Sequence, residues 1–245
     1  MSMTTDAFER IRDAIVTGGL EFGEHLSETQ IAQALGMSKA PVRAAFIELR
    51  DNGLVSVVPQ SGTYVFSPTA EDVRTMSEFR ALLEDRALRE AYRLRRSVML
   101  SRLDDAIATM RRAIDAKNWD SYREGDSAFH LAFLEESGNR YLLRAYLLTS
   151  TALEALRVRL RGGAGNFRER SFREHCQMAA QLKEGKVDEA AALLRNHILI
   201  INEWVDTLPL NSSKGSRKDK GDDRDYAAVF DKPHRHRRQV VASGS

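Results

Sequence analysis

The chain has 245 residues, 42% of them hydrophobic, which is enough for one large or two modest domains with real cores. Its formal net charge is +2, but residues 211–245 hold nine Lys/Arg against five Asp, a net of +4, so the other 210 residues sum to −2. Overall basicity is therefore no evidence for nucleic-acid binding. The single cysteine excludes an internal disulfide. Without a signal segment or an apolar run of membrane-spanning length, we expect a cytoplasmic protein without membrane contact.

Residues 5–67 predict three short helices followed by a β-hairpin. The pair Gly18-Gly19 ends the first helix, Ser27 begins the second as an N-cap, and Ser38 begins the third. Two β-rich runs then flank a Pro-Gln-Ser-Gly turn, a sequence that suits a hairpin.

The second and third predicted helices have the layout of a helix-turn-helix, whose second helix enters a DNA major groove. Lys39 and Arg43 share one exposed face near the start of that helix, where one can reach a base edge and the other a phosphate. Free N–H groups of its first turn can hold a phosphate oxygen, and the hairpin tip is narrow enough for a minor groove. A small helical subdomain with a solvated charged face is the alternative, which the added hairpin disfavours. The predicted DNA-binding residues are Ser38, Lys39, Ala40, Pro41, Arg43, Gln60, Ser61, Gly62 and Thr63.

Residues 69–208 have almost continuous helical periodicity after a short linker. Breaks near residues 97, 118, 138, 161–166 and 185 divide them into six helices. Residues 209–245 are charged or small and lack periodicity, so they predict a disordered basic tail. Three interpretations of the tail stand open: a weak nonspecific DNA tether, solvated filler, or sequence appended to the natural chain. The composition favours the last two.

Three histidines and one aspartate in this helical region lie where a helix would otherwise bury a hydrophobic residue. Asp126 and His130 are four residues apart, while His175 and His197 each fall within an apolar stripe. Three imidazoles and a carboxylate inside a helical bundle would bind a divalent metal of borderline hardness, such as Zn, Ni or Mn. An octahedral ion would keep two positions open for a small anion. The alternative is that each histidine is a core residue hydrogen-bonded to a neighbour.

These motifs resemble those of a known family. LSETQIAQALGMSKAPVRAAFIELRDNGLVSVVPQSGTYV is similar to the winged helix-turn-helix of GntR-family transcriptional regulators. DSAFHLAFLEESGN, the pair Glu174-His175 and the late His197 are similar to the all-helical effector domain of its FadR (FCD) branch. The resemblance covers about residues 5–208.

The resemblance implies a mostly α fold: a winged helix-turn-helix domain over 5–67 and an antiparallel helical FCD bundle over 69–208. It implies a homodimeric repressor or activator on double-stranded operator DNA, and not an enzyme. It also implies a small organic-acid effector held near a metal, whose ligands would be Asp126, His130, His175 and His197.

Three further positions bear on the resemblance. Arg80 matches the family's R-x-x-x-E pattern, which implies a clamp on the effector's carboxylate; the alternative is a surface ion pair with Glu84. Thr29 stands where many relatives carry arginine, and Lys39 where arginine is commoner. Lysine cannot make the bidentate fork that arginine makes to guanine, so the resemblance does not fix the operator sequence.

The leading hypothesis is a ligand-responsive DNA-binding regulator. A dedicated metal sensor, in which the ion itself is the signal, is the first alternative. A metal-dependent hydrolase is the second, since open metal positions can activate water. No obvious general base accompanies the predicted ligands, and a hydrolase would have no use for a helix-turn-helix.

Overall fold

The structure, a computed structural model, describes residues 2–160, 167–203, 205–207 and 224–230. Within these residues the chain is mostly helical with one small sheet, which confirms the predicted fold class. Two 3-10 turns, Ile200–Glu203 and Val205–Thr207, follow the helix Val187–Leu199. In chain order the other elements are α1 (Met3–Thr17), β1 (His25–Leu26), α2 (Glu28–Leu35), α3 (Lys39–Asp51), β2 (Val55–Val58), β3 (Gly62–Val65), α4 (Ala70–Asp115), α5 (Trp119–Glu136), α6 (Arg140–Leu160), α7 (Phe167–Lys183), α8 (Val187–Leu199) and α9 (Tyr226–Phe230).

The described residues form two units. The N-terminal unit joins the residues up to Phe66 with residues 224–230, and the effector unit begins at Ser67. The division lies next to the predicted domain boundary. The return of C-terminal residues to the N-terminal unit is not predicted by the sequence.

In the N-terminal unit, α1 and α2 pack against α3, and α3 contacts strand β2 of an antiparallel sheet with the strand order β1-β3-β2. The Ser27 side chain accepts a hydrogen bond from the Gln30 amide and so caps α2, as the sequence predicts. Strands β2 and β3 are the predicted hairpin, with Val55 opposite Val65. Strand β1 is not predicted, because two residues are too short to show an alternating pattern. Its pairing with β3 depends on tertiary contact.

Residues 224–230, which lie within the predicted basic tail, include the short helix α9. Tyr226 and Phe230 are four residues apart on α9, so they share one face, and each is only 2% exposed. The burial of two aromatic rings offsets the entropy lost when this short segment is ordered. The rest of the predicted tail, like the predicted break at 161–166, lies outside the described residues.

The effector unit is built around the long helix α4. A capping box between Thr69 and Asp72 begins this helix, and non-helical backbone at Arg95 kinks it close to the predicted break. Helix α5 packs along α4, and Gly125 makes the close approach possible. A Cβ atom at Gly125 would lie 2.8 Å from the Met110 Cγ atom of α4. Helices α6, α7 and α8 complete the bundle around a shared apolar core.

Candidate metal centre and nucleic-acid interface

Three buried histidines converge inside the effector unit. His130 comes from α5, His175 from α7 and His197 from α8. One ring nitrogen of each lies within 4.8 Å of the others, and the Nε2 atoms of His130 and His175 are 3.4 Å apart. Each imidazole lies on the inward face of its helix because of helical periodicity, and the packing of the three helices brings the rings together.

Asp126 lies beside this cluster, one helical turn before His130 on α5. Its Oδ1 atom is 4.0 Å from the His175 Nε2 atom, and the residue is 4% exposed. The structure therefore brings all four predicted metal ligands to one buried place. Three imidazole nitrogens and a carboxylate oxygen are a donor set that suits borderline divalent ions.

Two glutamates contact the outer sides of these rings. The Glu84 Oε2 atom of α4 lies 2.6 Å from His130 Nδ1, and the Glu174 Oε2 atom of α7 lies 2.7 Å from His197 Nδ1. A carboxylate that accepts the Nδ1 proton leaves the Nε2 lone pair for a metal. Both glutamates would therefore support ligation without touching the ion.

These orienting roles are not predicted by the sequence. In the sequence, Glu84 stands out only as the partner of Arg80, although Ala81, Glu84 and Leu88 lie on one buried stripe of α4. A charged residue on an otherwise apolar stripe indicates a buried polar contact, and this pattern could have identified Glu84. Glu174 stands out only as part of a motif, and its hydrogen bond to His197 joins two helices. Local spacing carries no signal for that contact.

Arg80 is not a surface residue. Its side chain is 7% exposed, and its Nε atom donates to Glu84 Oε1 at 2.5 Å. The guanidinium also lies over the Tyr146 ring, with its Cζ atom 5.8 Å from the ring centroid. These observations exclude the surface ion pair for Arg80 and Glu84. Arg80 and His197 border one small cleft, whose other lining residues are Ser77, Leu153, Ile198, Ile200 and Ile201.

Burial and charge set the protonation of this group. Burial raises the pKa of Glu84, but the attraction of Arg80 and then of His130 outweighs it and lowers that pKa to about 2. Burial lowers the pKa of His130 to about 4, and Glu84 only partly opposes this. At neutral pH the set is therefore a charged Arg80, an ionised Glu84 and a neutral His130.

The predicted recognition helix, α3, begins as expected. Ser38 has extended backbone at the N-cap, and its side chain makes no capping hydrogen bond. Ser38, Lys39 and Ala40 are exposed, and Pro41 is partly exposed in the first turn. Arg43 is exposed too, but its guanidinium pairs with Glu28 of α2 through Nε at 3.1 Å and Nη2 at 2.8 Å. This partner is not predicted by the sequence.

The hairpin tip is polar and tightly built. Gln60 and Ser61 are exposed, and Gly62 and Thr63 are partly exposed. Gly62 has a φ of 125°, and a Cβ atom there would lie 2.5 Å from the His25 Nε2 atom. Any other residue would therefore displace either the backbone or the His25 ring. The Ser61 hydroxyl lies 2.8 Å from the Tyr64 hydroxyl, which holds the tip against its own strand.

Residues 3–65 match the family model described as "Bacterial regulatory proteins, gntR family", and residues 75–199 match the FCD domain model. Together with the fold, these matches define a transcriptional regulator with a winged helix-turn-helix and a helical FCD domain. The chain belongs to the GntR family, in the branch that carries an FCD domain. This confirms the resemblance seen in the sequence.

Several regulators are similar to this chain. The HTH-type transcriptional repressor RspR of Escherichia coli K12 is 34% identical over 108 residues, which are 44% of this chain and 47% of RspR. The match thus spans about half the length of that relative. LutR of Bacillus subtilis is 27% identical over 77% of this chain and 94% of its own. These relatives are named as regulators, not enzymes, which agrees with the prediction and sets the hydrolase hypothesis aside.

Solved structures share the fold. Escherichia coli McbR/YncC superposes with a TM-score of 0.72 at 19% identity, covering 84% of this chain and 98% of its own. A GntR transcriptional regulator from Rhodococcus sp. RHA1 gives 0.71 at 23% identity, covering 84% and 99%. Among the described residues of this chain, none of the helices is both long and apolar enough to cross a bilayer.

The lowered pKa values of Glu84 and His130 predict that acid destabilises the effector domain. Below pH 6.5 the unfolded chain protonates His130, while the folded protein resists this until about pH 4. Below pH 4.5 the unfolded chain also protonates Glu84, which stays ionised in the folded protein until about pH 2. The free energy of unfolding of chelator-treated protein should therefore fall as the pH drops from 6.5.

Urea unfolding at several pH values measures this free energy. Tryptophan fluorescence reports on the effector domain, because Trp119 and Trp204 both lie in its sequence. A His130→Asn variant should show a flatter dependence between pH 6.5 and 4. An equal slope in variant and wild type would contradict the assignment to His130.

Proposed function

We propose that the effector domain of this regulator binds one divalent metal together with a small carboxylate, and that the carboxylate changes operator binding by a homodimer. The observation that carries the proposal is the convergence of three buried histidines and Asp126 beside a cleft that Arg80 also borders. A bound carboxylate would meet a cation there. The metal would supply open coordination positions for its oxygens.

The residues that would hold the metal are Asp126, His130, His175 and His197. Support comes from the hydrogen bonds on the outer sides of two rings, which direct Nε2 of His130 and His197 into the cluster. The mixed nitrogen and oxygen donors suit Zn, Ni or Mn and do not choose among them.

Arg80 would be the second anchor of the carboxylate. Glu84 contacts its Nε atom, and a guanidinium carries four further N–H donors on its two terminal nitrogens. Planar, paired donors suit a carboxylate, and burial would strengthen the contact.

A dedicated metal sensor is the second candidate. The observation that favours it is the pair between Arg80 and Glu84, which already balances the cation in the cleft. In that case the metal alone would change operator affinity, and no organic acid would be needed.

Operator binding would use α3 and the hairpin tip of each protomer. The exposed side chains of Ser38 and Lys39 support this, and Arg43 would exchange Glu28 for DNA. Two recognition helices on successive major grooves would be about 34 Å apart, which requires a dimer. Large apolar side chains exposed on α4 and α6 support dimerisation of the effector domain: Phe79, Leu82, Leu147 and Leu148.

Repression and a cytoplasmic location complete the proposal. RspR is named a repressor, and it is similar to this chain over part of its length. A regulator of this family acts on bacterial DNA, which supports the location expected from the sequence.

If the histidines bind a metal, substitution of a ligand should remove the bound ion. His175→Ala should abolish stoichiometric binding, and Glu174→Gln should weaken it about 10–100-fold, because a supporting carboxylate orients its histidine. Elemental analysis after reloading with Zn, Ni or Mn measures the content. His25→Ala removes an imidazole from the other unit and serves as the control. Equal metal content in wild type and His175→Ala would refute the site.

We expect that substitution of Arg43 reduces the specificity of operator binding. Arg43→Ala should weaken operator binding by about 1–3 kcal/mol if the guanidinium contacts a base edge. Arg50→Ala removes an exposed arginine from the last turn of the same helix and is the matched control. The measurement is the ratio of operator affinity to nonspecific affinity at fixed salt. Unchanged operator affinity would remove Arg43 from the interface.

The effector hypothesis predicts reciprocal coupling. A thermal-shift screen of small organic acids with added metal should identify a ligand, since binding to the native state alone raises stability. If the acid weakens operator binding, operator must weaken acid binding by the same factor, typically about 5–150-fold. Calorimetric titration of the acid into free protein and into operator-bound protein measures the two acid affinities, whose ratio is the coupling factor.

The Arg80→Lys variant separates the two candidate functions. It keeps the positive charge but lacks the planar fork, so it should bind metal normally and the acid poorly. Identical acid affinities for free and operator-bound wild type would show that the cleft does not regulate DNA binding. A full response of operator binding to metal alone would establish the metal sensor.

A further inference from the structure

The short helix α9 lies outside both family matches. Those matches cover residues 3–65 and 75–199, whereas α9 spans Tyr226–Phe230. The helix nevertheless belongs to the same compact unit as the helix-turn-helix, where it packs against α1 and α2. The family pattern therefore does not account for α9, and its contacts must explain what it does in this unit.

Polar contacts fix both ends of α9 to the N-terminal unit. After the last turn, Arg10 Nη2 donates to the Phe230 carbonyl oxygen at 3.1 Å, which satisfies a carbonyl group that a helix end leaves open. Just before the helix, Arg224 donates to the Gly19 carbonyl oxygen, and its Nε atom lies 3.2 Å from the buried carboxylate of Glu24. Together with the buried aromatic rings, these contacts hold α9 in one position.

The first residue of α9 contacts the backbone where β1 leads into α2. The Tyr226 hydroxyl donates to the His25 carbonyl oxygen at 3.0 Å. Ser27, two residues later, is the N-cap of α2. We call residues 24–28 the junction segment, because they connect the strand to the helix. Helix α9 thus holds the junction segment through a hydrogen bond to its backbone.

One side of the junction segment is attached to the hairpin. Leu26 stands opposite Thr63 of β3, and the Val65 amide donates to the Glu24 carbonyl oxygen at 2.8 Å. Thr63 belongs to the hairpin tip that is proposed to contact DNA. A displacement of β1 would therefore displace the hairpin tip, because hydrogen-bonded strands move together.

The other side of the junction segment is attached to α3. Glu28 accepts two hydrogen bonds from the Arg43 guanidinium, through Nε at 3.1 Å and Nη2 at 2.8 Å. Both elements proposed to contact DNA are thus connected to the five residues that α9 holds. DNA binding by such a motif needs its elements in a fixed relation, since the recognition helix and the flanking contacts engage one duplex together.

We propose that α9 is a positioning element for DNA binding, which holds the hairpin tip in place relative to α3 through the junction segment. The proposal rests on the proposed operator binding by α3 and the hairpin tip. Tyr226 is the positioning residue, because its hydroxyl reaches the junction segment itself. Release of α9 should then weaken DNA binding although every side chain proposed to contact DNA is unchanged.

The first test measures hydrogen–deuterium exchange of the full chain without DNA, in peptides that cover residues 23–26 and 62–66. Tyr226→Phe removes only the hydroxyl, and exchange there should become about 2–10-fold faster, as expected for the loss of one hydrogen bond. Tyr226→Ala with Phe230→Ala removes both buried rings and should speed exchange further. Peptides from the effector core, residues 99–110, should exchange as in wild type.

The matched control lies on the opposite face of the same helix. Ala227 and Ala228 are exposed, so Ala227→Gln with Ala228→Gln changes α9 without touching its buried rings. This variant should match wild type in both exchange and DNA binding.

The second test measures binding of a fluorescent random-sequence duplex of about 30 base pairs by anisotropy at fixed salt. The Kd of the double alanine variant should rise about 3–10-fold, which corresponds to a competent hairpin position in about a tenth to a third of the molecules. Tyr226→Phe should show a smaller rise, because it keeps the ring.

A disulfide can restore the docked position. A Cβ atom at Gly19 would lie 3.2 Å from the Val229 Cγ1 atom, so Gly19→Cys with Val229→Cys places two thiols within bonding reach. Cys176→Ser removes the single native cysteine. With Phe230→Ala added, the reduced protein should bind the duplex weakly, and oxidation should return the Kd to that of wild type. Reductant should reverse the change.

Three results would overturn the proposal. One is wild-type exchange over residues 62–66 in the double alanine variant, and another is a wild-type Kd in the same variant. The third is loss of binding on oxidation of the cysteine pair, which would identify α9 as a block on DNA. Failure of wild type to bind any duplex would instead count against the proposed operator binding. The exchange measurement uses no DNA, so it would still decide whether α9 holds the hairpin.

Discussion

The effector domain depends on one buried carboxylate, that of Glu84. It accepts from the Arg80 guanidinium on one side and from the His130 ring on the other, all away from water. Removing either charge of the pair would leave the other buried without compensation, at a cost of about 3–5 kcal/mol. The same carboxylate fixes which nitrogen of His130 faces the cluster. Ion pairing on α4 therefore decides the chemistry of a ring on α5.

Because Glu84 contacts both Arg80 and His130, it connects the cleft to the histidine cluster. Arg80 and His197 border one cleft, and Arg80 reaches His130 through Glu84, so a ligand in the cleft would act on the same hydrogen-bonded set that a metal needs. Binding of the two would then be thermodynamically linked. Glu174 repeats the arrangement at His197, and its carboxylate is held in turn by Arg170. Both carboxylates thus connect a histidine ring of the cluster to an arginine outside it.

The N-terminal unit combines residues that are far apart in the sequence, since it contains both the first 66 residues and α9. A short aromatic helix more than 170 residues beyond α3 packs against α1 and α2. Its place in the sequence gives no hint of this, since two aromatic residues within a charged tail do not form a periodic pattern. Their burial depends on the surface that α1, α2 and β1 provide together.

Local spacing in the sequence determined most helices, the kink near Arg95 and the inward direction of His130, His175 and His197, because helical geometry decides which residues share a face. It also indicated the helix-turn-helix and the capping of α2. Only the tertiary structure decided which groups meet: Glu84 with His130, Glu174 with His197, Glu28 with Arg43, and α9 with the N-terminal unit. Each of these contacts joins separate elements. Partners across elements depend on how helices pack, and a periodic pattern records a buried face without recording what lies against it.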